Sequence, residues 1–150
     1  MSLSLTIYSQ GQGPQLTLVH GWGLGSGAWG LVSHLLAKHF TVHTVNLPGY
    51  GDAPAAPDAS LDDLADALAD TLPPRAMVCG WSLGALVSLQ AARRQPRKIA
   101  RLVLVGATAS FVQREGWAEA LPAGQLGNFM AGLAADPAAL LKQFGSLIHQ

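Results

Sequence analysis

Short apolar runs alternate along this chain with longer stretches whose apolar residues recur every three or four positions. Four runs read as strands. They are Gln15-Leu16-Thr17-Leu18-Val19, Val42-His43-Thr44-Val45-Asn46-Leu47, Arg75-Ala76-Met77-Val78-Cys79 and Arg101-Leu102-Val103-Leu104-Val105-Gly106. The stretches between them carry helical spacing. Trp29, Val32 and Leu36 predict one apolar helix face. Leu61, Leu64, Ala65, Leu68 and Leu72 predict another, opened by the capping signal Asp58-Ala59-Ser60 and stopped by Pro73-Pro74. Leu86, Val87, Gln90 and Ala91 predict a third. This alternation specifies an α/β fold, a mostly parallel sheet of about five strands with helices on its faces. After residue 106 the pattern changes. Residues 111–150 carry no strand signal and read as helices over 117–121, 126–134 and 137–148. Asp136 is the expected N-cap of the last helix, and Pro137 its first residue.

Composition narrows the class without naming a function. Hydrophobic residues make up 49% of the chain and charged ones 12%, which suits a large buried core and excludes a disordered chain. The formal net charge is zero, so nothing marks a nucleic-acid surface. The densest basic run holds Arg93, Arg94, Arg97, Lys98 and Arg101. It reads as a solvated helix end, its charge suited to a helix C-terminus, or as a patch that steers an acidic partner. The single cysteine, Cys79, forms no intrachain disulfide and reads as a small core residue. Five histidines, His20, His34, His39, His43 and His149, are scattered, so no metal or other cofactor is expected. The first six residues lack a secretory pattern, and no apolar run is long enough to span a membrane. No membrane partner and a cytoplasmic location are the resulting expectations.

The chemistry concentrates in two glycine-rich turns. Gly80-Trp81-Ser82-Leu83-Gly84 is a G-x-S-x-G between a predicted strand and a predicted helix. In that context the pattern means a nucleophile elbow, with Ser82 on a sharp turn and its hydroxyl above the sheet. Leu83 then presents its N–H at a helix N-terminus, where developing negative charge is favoured. The second turn, His20-Gly21-Trp22-Gly23, follows an earlier strand. A tetrahedral intermediate needs two N–H donors, one from the residue after the serine and one from such a loop. Trp22 is the candidate second donor. His20 is expected to bond to backbone and order its turn rather than to serve as catalytic base. A further cluster, Pro48-Gly49-Tyr50-Gly51, ends the second located strand.

With these residues in view the chain resembles the α/β-hydrolase superfamily. Within it, the likeness is to the pimeloyl-acyl-carrier-protein methyl ester esterases of biotin synthesis. The resemblance rests on Gly11-Gln12-Gly13, His20-Gly21-Trp22-Gly23-Leu24, Trp29, His39-Phe40-Thr41, Leu47-Pro48-Gly49-Tyr50-Gly51 and Gly80-Trp81-Ser82-Leu83-Gly84. It runs from Gly11 to about Thr108. Asn46 stands where many relatives carry aspartate, and Ala85 where many carry a third glycine. The resemblance implies a serine carboxylic ester hydrolase that demethylates a pimeloyl ester tethered to acyl carrier protein, and so implies that carrier as a partner. It also implies that Phe144-Gly145-Ser146-Leu147-Ile148 belongs to a helical cap that contacts substrate. The alternatives are another hydrolase of this fold, acting on small esters, lactones or C–C bonds, or a catalytically dead, hydrolase-like binding protein.

A serine needs a base, and the base needs an orienting acid. In this superfamily the order is serine, acid, histidine, the last two in loops after later strands. After Ser82 the chain offers His149 as its histidine and Asp136 as its aspartate, neither of them after a strand. Both are expected to be structural or exposed. The expectation is therefore a truncated core over residues 1–110 and the first part of a cap over 111–150. The base, the acid and the rest of the core would lie beyond Gln150, and the 150-residue chain would be inactive alone.

Overall fold

The computed structural model describes residues 3–148, which form two compact units divided after Ala107. The first holds a five-stranded sheet in the order β1-β3-β2-β4-β5. Its strands are β1 (Thr6–Gln10), β2 (Gln15–Val19), β3 (Thr41–Asn46), β4 (Ala76–Trp81) and β5 (Ile99–Val105). β2 pairs in parallel with β3 and β4, and β4 with β5. β1 runs antiparallel to β3 at one edge. Three helices cross between the parallel strands: α1 (Gly30–Leu36), α2 (Leu61–Thr71) and α3 (Leu83–Arg94).

Strand alternation divides the core into two layers. Val19, Val45, Ala76 and Val78 face Leu68, Ala69, Val87 and Ala91 of α2 and α3. Leu18, Val42 and Cys79 face the other way, with Trp29 and Leu36. The central strands are thus covered on both sides, which is why they read as near-continuous apolar runs. Helix α2 opens with a capping box: the Ser60 hydroxyl accepts from the Asp63 N–H, and the Asp63 carboxylate from the Ser60 N–H. Arg94 at the end of α3 reaches back to Asp62 and Asp66 of α2 at 2.8 and 2.6 Å.

One expectation for this unit needs correction, and one strand of the expected five went unlocated. Val32 is 44% exposed, so α1 turns Ser33 and Leu36 toward the core, beside its N-cap residue Trp29. Strand β1 carried no locatable signal: it is an edge strand with its middle residues exposed, and its Thr-Ile-Tyr-Ser-Gln lacks apolar alternation.

The second unit contains α4 (Ala123–Ala135) and α5 (Pro137–Ile148). Asp136 separates them and caps α5, its carboxylate accepting from the Ala139 N–H at 3.0 Å. The helix expected over 117–121 is absent. Arg114 and Trp117 instead close a tight turn through reciprocal backbone bonds, and Val112 bridges Leu121. Gly116, at φ 73°, supplies the left-handed residue that this turn requires and a helix would not. Helix α4 starts at Ala123, three residues before the expected 126. His149 lies outside the described residues.

Among the described residues β5 has a neighbour on one side only, and Val103, Leu104 and Val105 are 54, 38 and 43% exposed. Open backbone groups on an apolar edge template pairing with another chain. The 150-residue chain is therefore expected to self-associate in size-exclusion chromatography with light scattering, and Val103→Lys to reduce that association. A wild-type monomer would contradict this.

Candidate active site

Ser82 joins β4 to α3 with φ 52° and ψ −113°, a backbone conformation that a non-glycine residue rarely adopts. The surroundings over-determine it. Its N–H donates to the Val105 carbonyl of β5 at 2.8 Å, and its carbonyl accepts from the N–H groups of Ala85 and Leu86, starting α3. Helix α3 also lies too close to β2 for any side chain between them. A Cβ on Gly84 would overlap the Val19 carbonyl and come within 2.6 Å of the His20 carbonyl oxygen. A Cβ on Gly80 would overlap the Gly84 carbonyl. The glycines that frame Ser82 are thus required by close approach of backbone to backbone.

The second glycine-rich turn lies against the first. A Cβ built on Gly21 would sit 3.3 Å from the Cβ of Ser82. The next residue, Trp22, is half-buried. Leu83 occupies the first position of α3, where a backbone N–H has no intrahelical acceptor. The structure thus brings Ser82, Leu83 and the loop that carries Trp22 close together. Trp81, the residue before the elbow, meets Trp29 edge-on with ring centroids 6.2 Å apart.

His20 is fully buried, and both ring nitrogens are committed to backbone. The Leu47 N–H donates to Nε2 at 3.2 Å, so that nitrogen carries no proton. Nδ1 therefore holds it and donates to the Gly21 carbonyl at 2.7 Å. Burial pushes the His20 pKa below the usual histidine value, and the bond to Gly21 opposes this in part. Of the other described histidines, His43 pairs with Ser9 at 2.7 Å across β1 and β3, and His34 and His39 are exposed. Sequence reasoning missed how fully β3 and its following turn engage this region: Asn46 and Tyr50 both bond to the residue 20–26 loop.

Phe144, Gly145 and Ser146 lie together on α5 of the second unit; Ser146 is exposed and bonds to the Lys142 carbonyl of its own helix. The side chains of Leu147 and Ile148 lie outside the described residues. A cleft of about 440 Å³ opens at the opposite end of the sheet from Ser82, between the starts of β2, β4 and β5. It holds none of the motif residues.

The sequence profile of the Alpha/beta hydrolase family matches residues 18–148, and the chain belongs to that family. A pimeloyl-[acyl-carrier protein] methyl ester esterase of Aromatoleum aromaticum is 45% identical over 139 residues, covering 89% of this chain and 55% of the relative. The protein of the same name in Nitrosomonas europaea is 40% identical over 144 residues, covering 96% and 57%. The chain thus spans little more than half the length of these curated relatives. An esterase structure from Exiguobacterium antarcticum superposes with a TM-score of 0.84 over 95% of this chain and 56% of its own, at 20% identity, a likeness of fold.

Two measurements test this geometry. Gly84→Ala is expected to destabilise the fold by about 1–3 kcal/mol in urea denaturation, because only backbone can move to admit the methyl group. With its pKa lowered, His20 takes up a proton in the folded chain at a lower pH than in the unfolded chain, which does so near pH 6.5. Its contribution is thus complete above that pH and lost as pH falls further toward the lowered folded value. The urea midpoint should drop between pH 7 and pH 5, and His20→Gln should flatten that drop.

Proposed function

We propose that this chain carries the nucleophile half of a serine carboxylic ester hydrolase. The observation that supports this most is the strained Ser82, set between β4 and α3 and flanked by the Trp22 loop. In this reading Ser82 Oγ attacks the ester carbonyl. The N–H groups of Leu83 and Trp22 receive the oxyanion, the alcohol leaves, and water hydrolyses the acyl-serine. His20 is tied to backbone through both nitrogens, His43 pairs with Ser9, and His34 and His39 are exposed, which supports a reading in which the base, with the acid that orients it, lies outside the described residues. No metal is needed for this chemistry, and the described residues hold no cluster of three or more metal-ligating side chains.

The substrate we propose is the methyl ester of pimeloyl-acyl-carrier protein, cleaved to methanol and the free acid in biotin synthesis, with the carrier as partner. The relatives of that name, 36–45% identical over 89% or more of the chain, support it. Residues 1–110 would form the first part of the core and 111–150 the first part of a cap. Phe144, Gly145, Ser146, Leu147 and Ile148 of that cap would contact the acyl chain. The basic run at the end of α3 is partly engaged within the fold. Arg94 is bound to Asp62 and Asp66, and Lys98 to the Leu72 carbonyl. The run also lies at the far end of a 12-residue helix from Ser82, about 18 Å away. Among the described residues no helix is long and apolar enough to cross a membrane, and a cytoplasmic site of action is part of the proposal.

A fluorophosphonate probe is expected to label the full protein at Ser82, mapped by peptide mass spectrometry, and Ser82→Ala to abolish labelling. The full protein should cleave methyl pimeloyl-carrier in preference to short p-nitrophenyl esters. Labelling elsewhere, or none, would overturn the nucleophile assignment; preference for the short esters would overturn the substrate.

A further inference from the structure

The loop of residues 20–26 is fastened to the end of β3 and its following turn at three points. The first is the His20 imidazole, which accepts from the Leu47 N–H. The second is the Tyr50 hydroxyl, which accepts from the Gly23 N–H at 2.8 Å. The third is the Asn46 side-chain carbonyl, which accepts from the Ser26 N–H at 2.7 Å. Asn46 is buried, and its amide nitrogen lies over Gly51, where a Cβ would overlap it. The Tyr50 ring also meets the His20 ring edge-on, with centroids 4.5 Å apart. Two side chains from one strand end thus hold the backbone on either side of the loop's tip, with Trp22 directly before the held Gly23.

We propose that Tyr50 and Asn46 are positioning residues that set the oxyanion-binding conformation of the Trp22 loop. The proposal rests on the reading of Ser82 as nucleophile and Trp22 as oxyanion donor. Gly23 has no side chain and sits at φ 75°, so the direction of the preceding Trp22 N–H depends in part on what holds the Gly23 backbone. A donor contributes fully to an oxyanion only when it is aimed there before reaction, and a misplacement of about 1 Å costs up to about a hundredfold in rate. Tyr50 touches no reacting atom in this scheme. It acts through Gly23, and Asn46 acts through Ser26. The Tyr50 hydroxyl and the Asn46 side-chain carbonyl are the atoms that bond to the loop backbone. A carboxylate at position 46 would accept the same bond from Ser26.

The test uses the full protein with Tyr50→Phe, Asn46→Ala and Asn46→Asp. Fluorophosphonate inactivation is measured over a range of probe concentrations, with thermal melting alongside. Tyr50→Phe and Asn46→Ala are expected to lower the maximal inactivation rate about tenfold with unchanged half-saturation. Asn46→Asp should restore the rate. Amide exchange at Gly23 and Ser26 provides a readout that needs no catalysis. Tyr50→Phe should release Gly23, and Asn46→Ala should release Ser26, while β2 and β4 amides stay protected. Wild-type inactivation rates in both variants, or Asn46→Asp as slow as Asn46→Ala, would overturn the proposal. If the wild-type protein fails to label, the nucleophile reading fails, and exchange alone decides whether the clamp exists: unchanged protection at Gly23 and Ser26 would overturn it too.

Discussion

The hydrogen bond from the Ser82 N–H to the Val105 carbonyl fixes the residue around which this unit is organised. A φ of 52° at a serine costs on the order of 1–3 kcal/mol and persists only where neighbours leave no alternative. Here one bond holds the amide to β5, two hold the carbonyl into α3, and the helix presses against the β2 carbonyls with nothing but Gly84 between. Each constraint comes from a different element. The sheet order places β4 between β2 and β5, so the elbow is gripped from both sides.

Polar groups near the elbow are spent on shape. His20 is desolvated, which lowers its pKa, and a donor on one side and an acceptor on the other fix it in one tautomer. Asn46 and Tyr50 likewise accept from backbone amides of the loop. The result is a glycine-rich turn whose Gly23 and Ser26 amides are bonded by side chains from β3 and its turn rather than by a ladder.

The sheet and the two glycine-rich turns were legible because each left a signal of the right period or residue type. β2 and β4 are buried on both faces and read as apolar runs. The capping signal Asp58-Ala59-Ser60 announced the start of α2 at Leu61. Gly80 and Gly84 marked the elbow because no other residue fits. What escaped did so for physical reasons. β1 is polar and half in solvent, so its pairing depends on β3 and not on its own pattern. Residues 117–121 have a helical composition, but Gly116 turns the chain before a helix can start. The partners of Asn46 and Tyr50 lie 20 and 27 residues away in sequence, and a side chain's reach across such a gap has no local signature.

The anchor for Ser82 is the last residue of β5, and β5 is the outermost strand on its side among the described residues. The nucleophile's backbone is therefore only one hydrogen bond from the rim of the sheet. Fraying that begins at this margin would reach the serine before it reached the middle of the sheet. The site's rigidity is inherited from a border, and whatever lies along that border sets how long the bend endures.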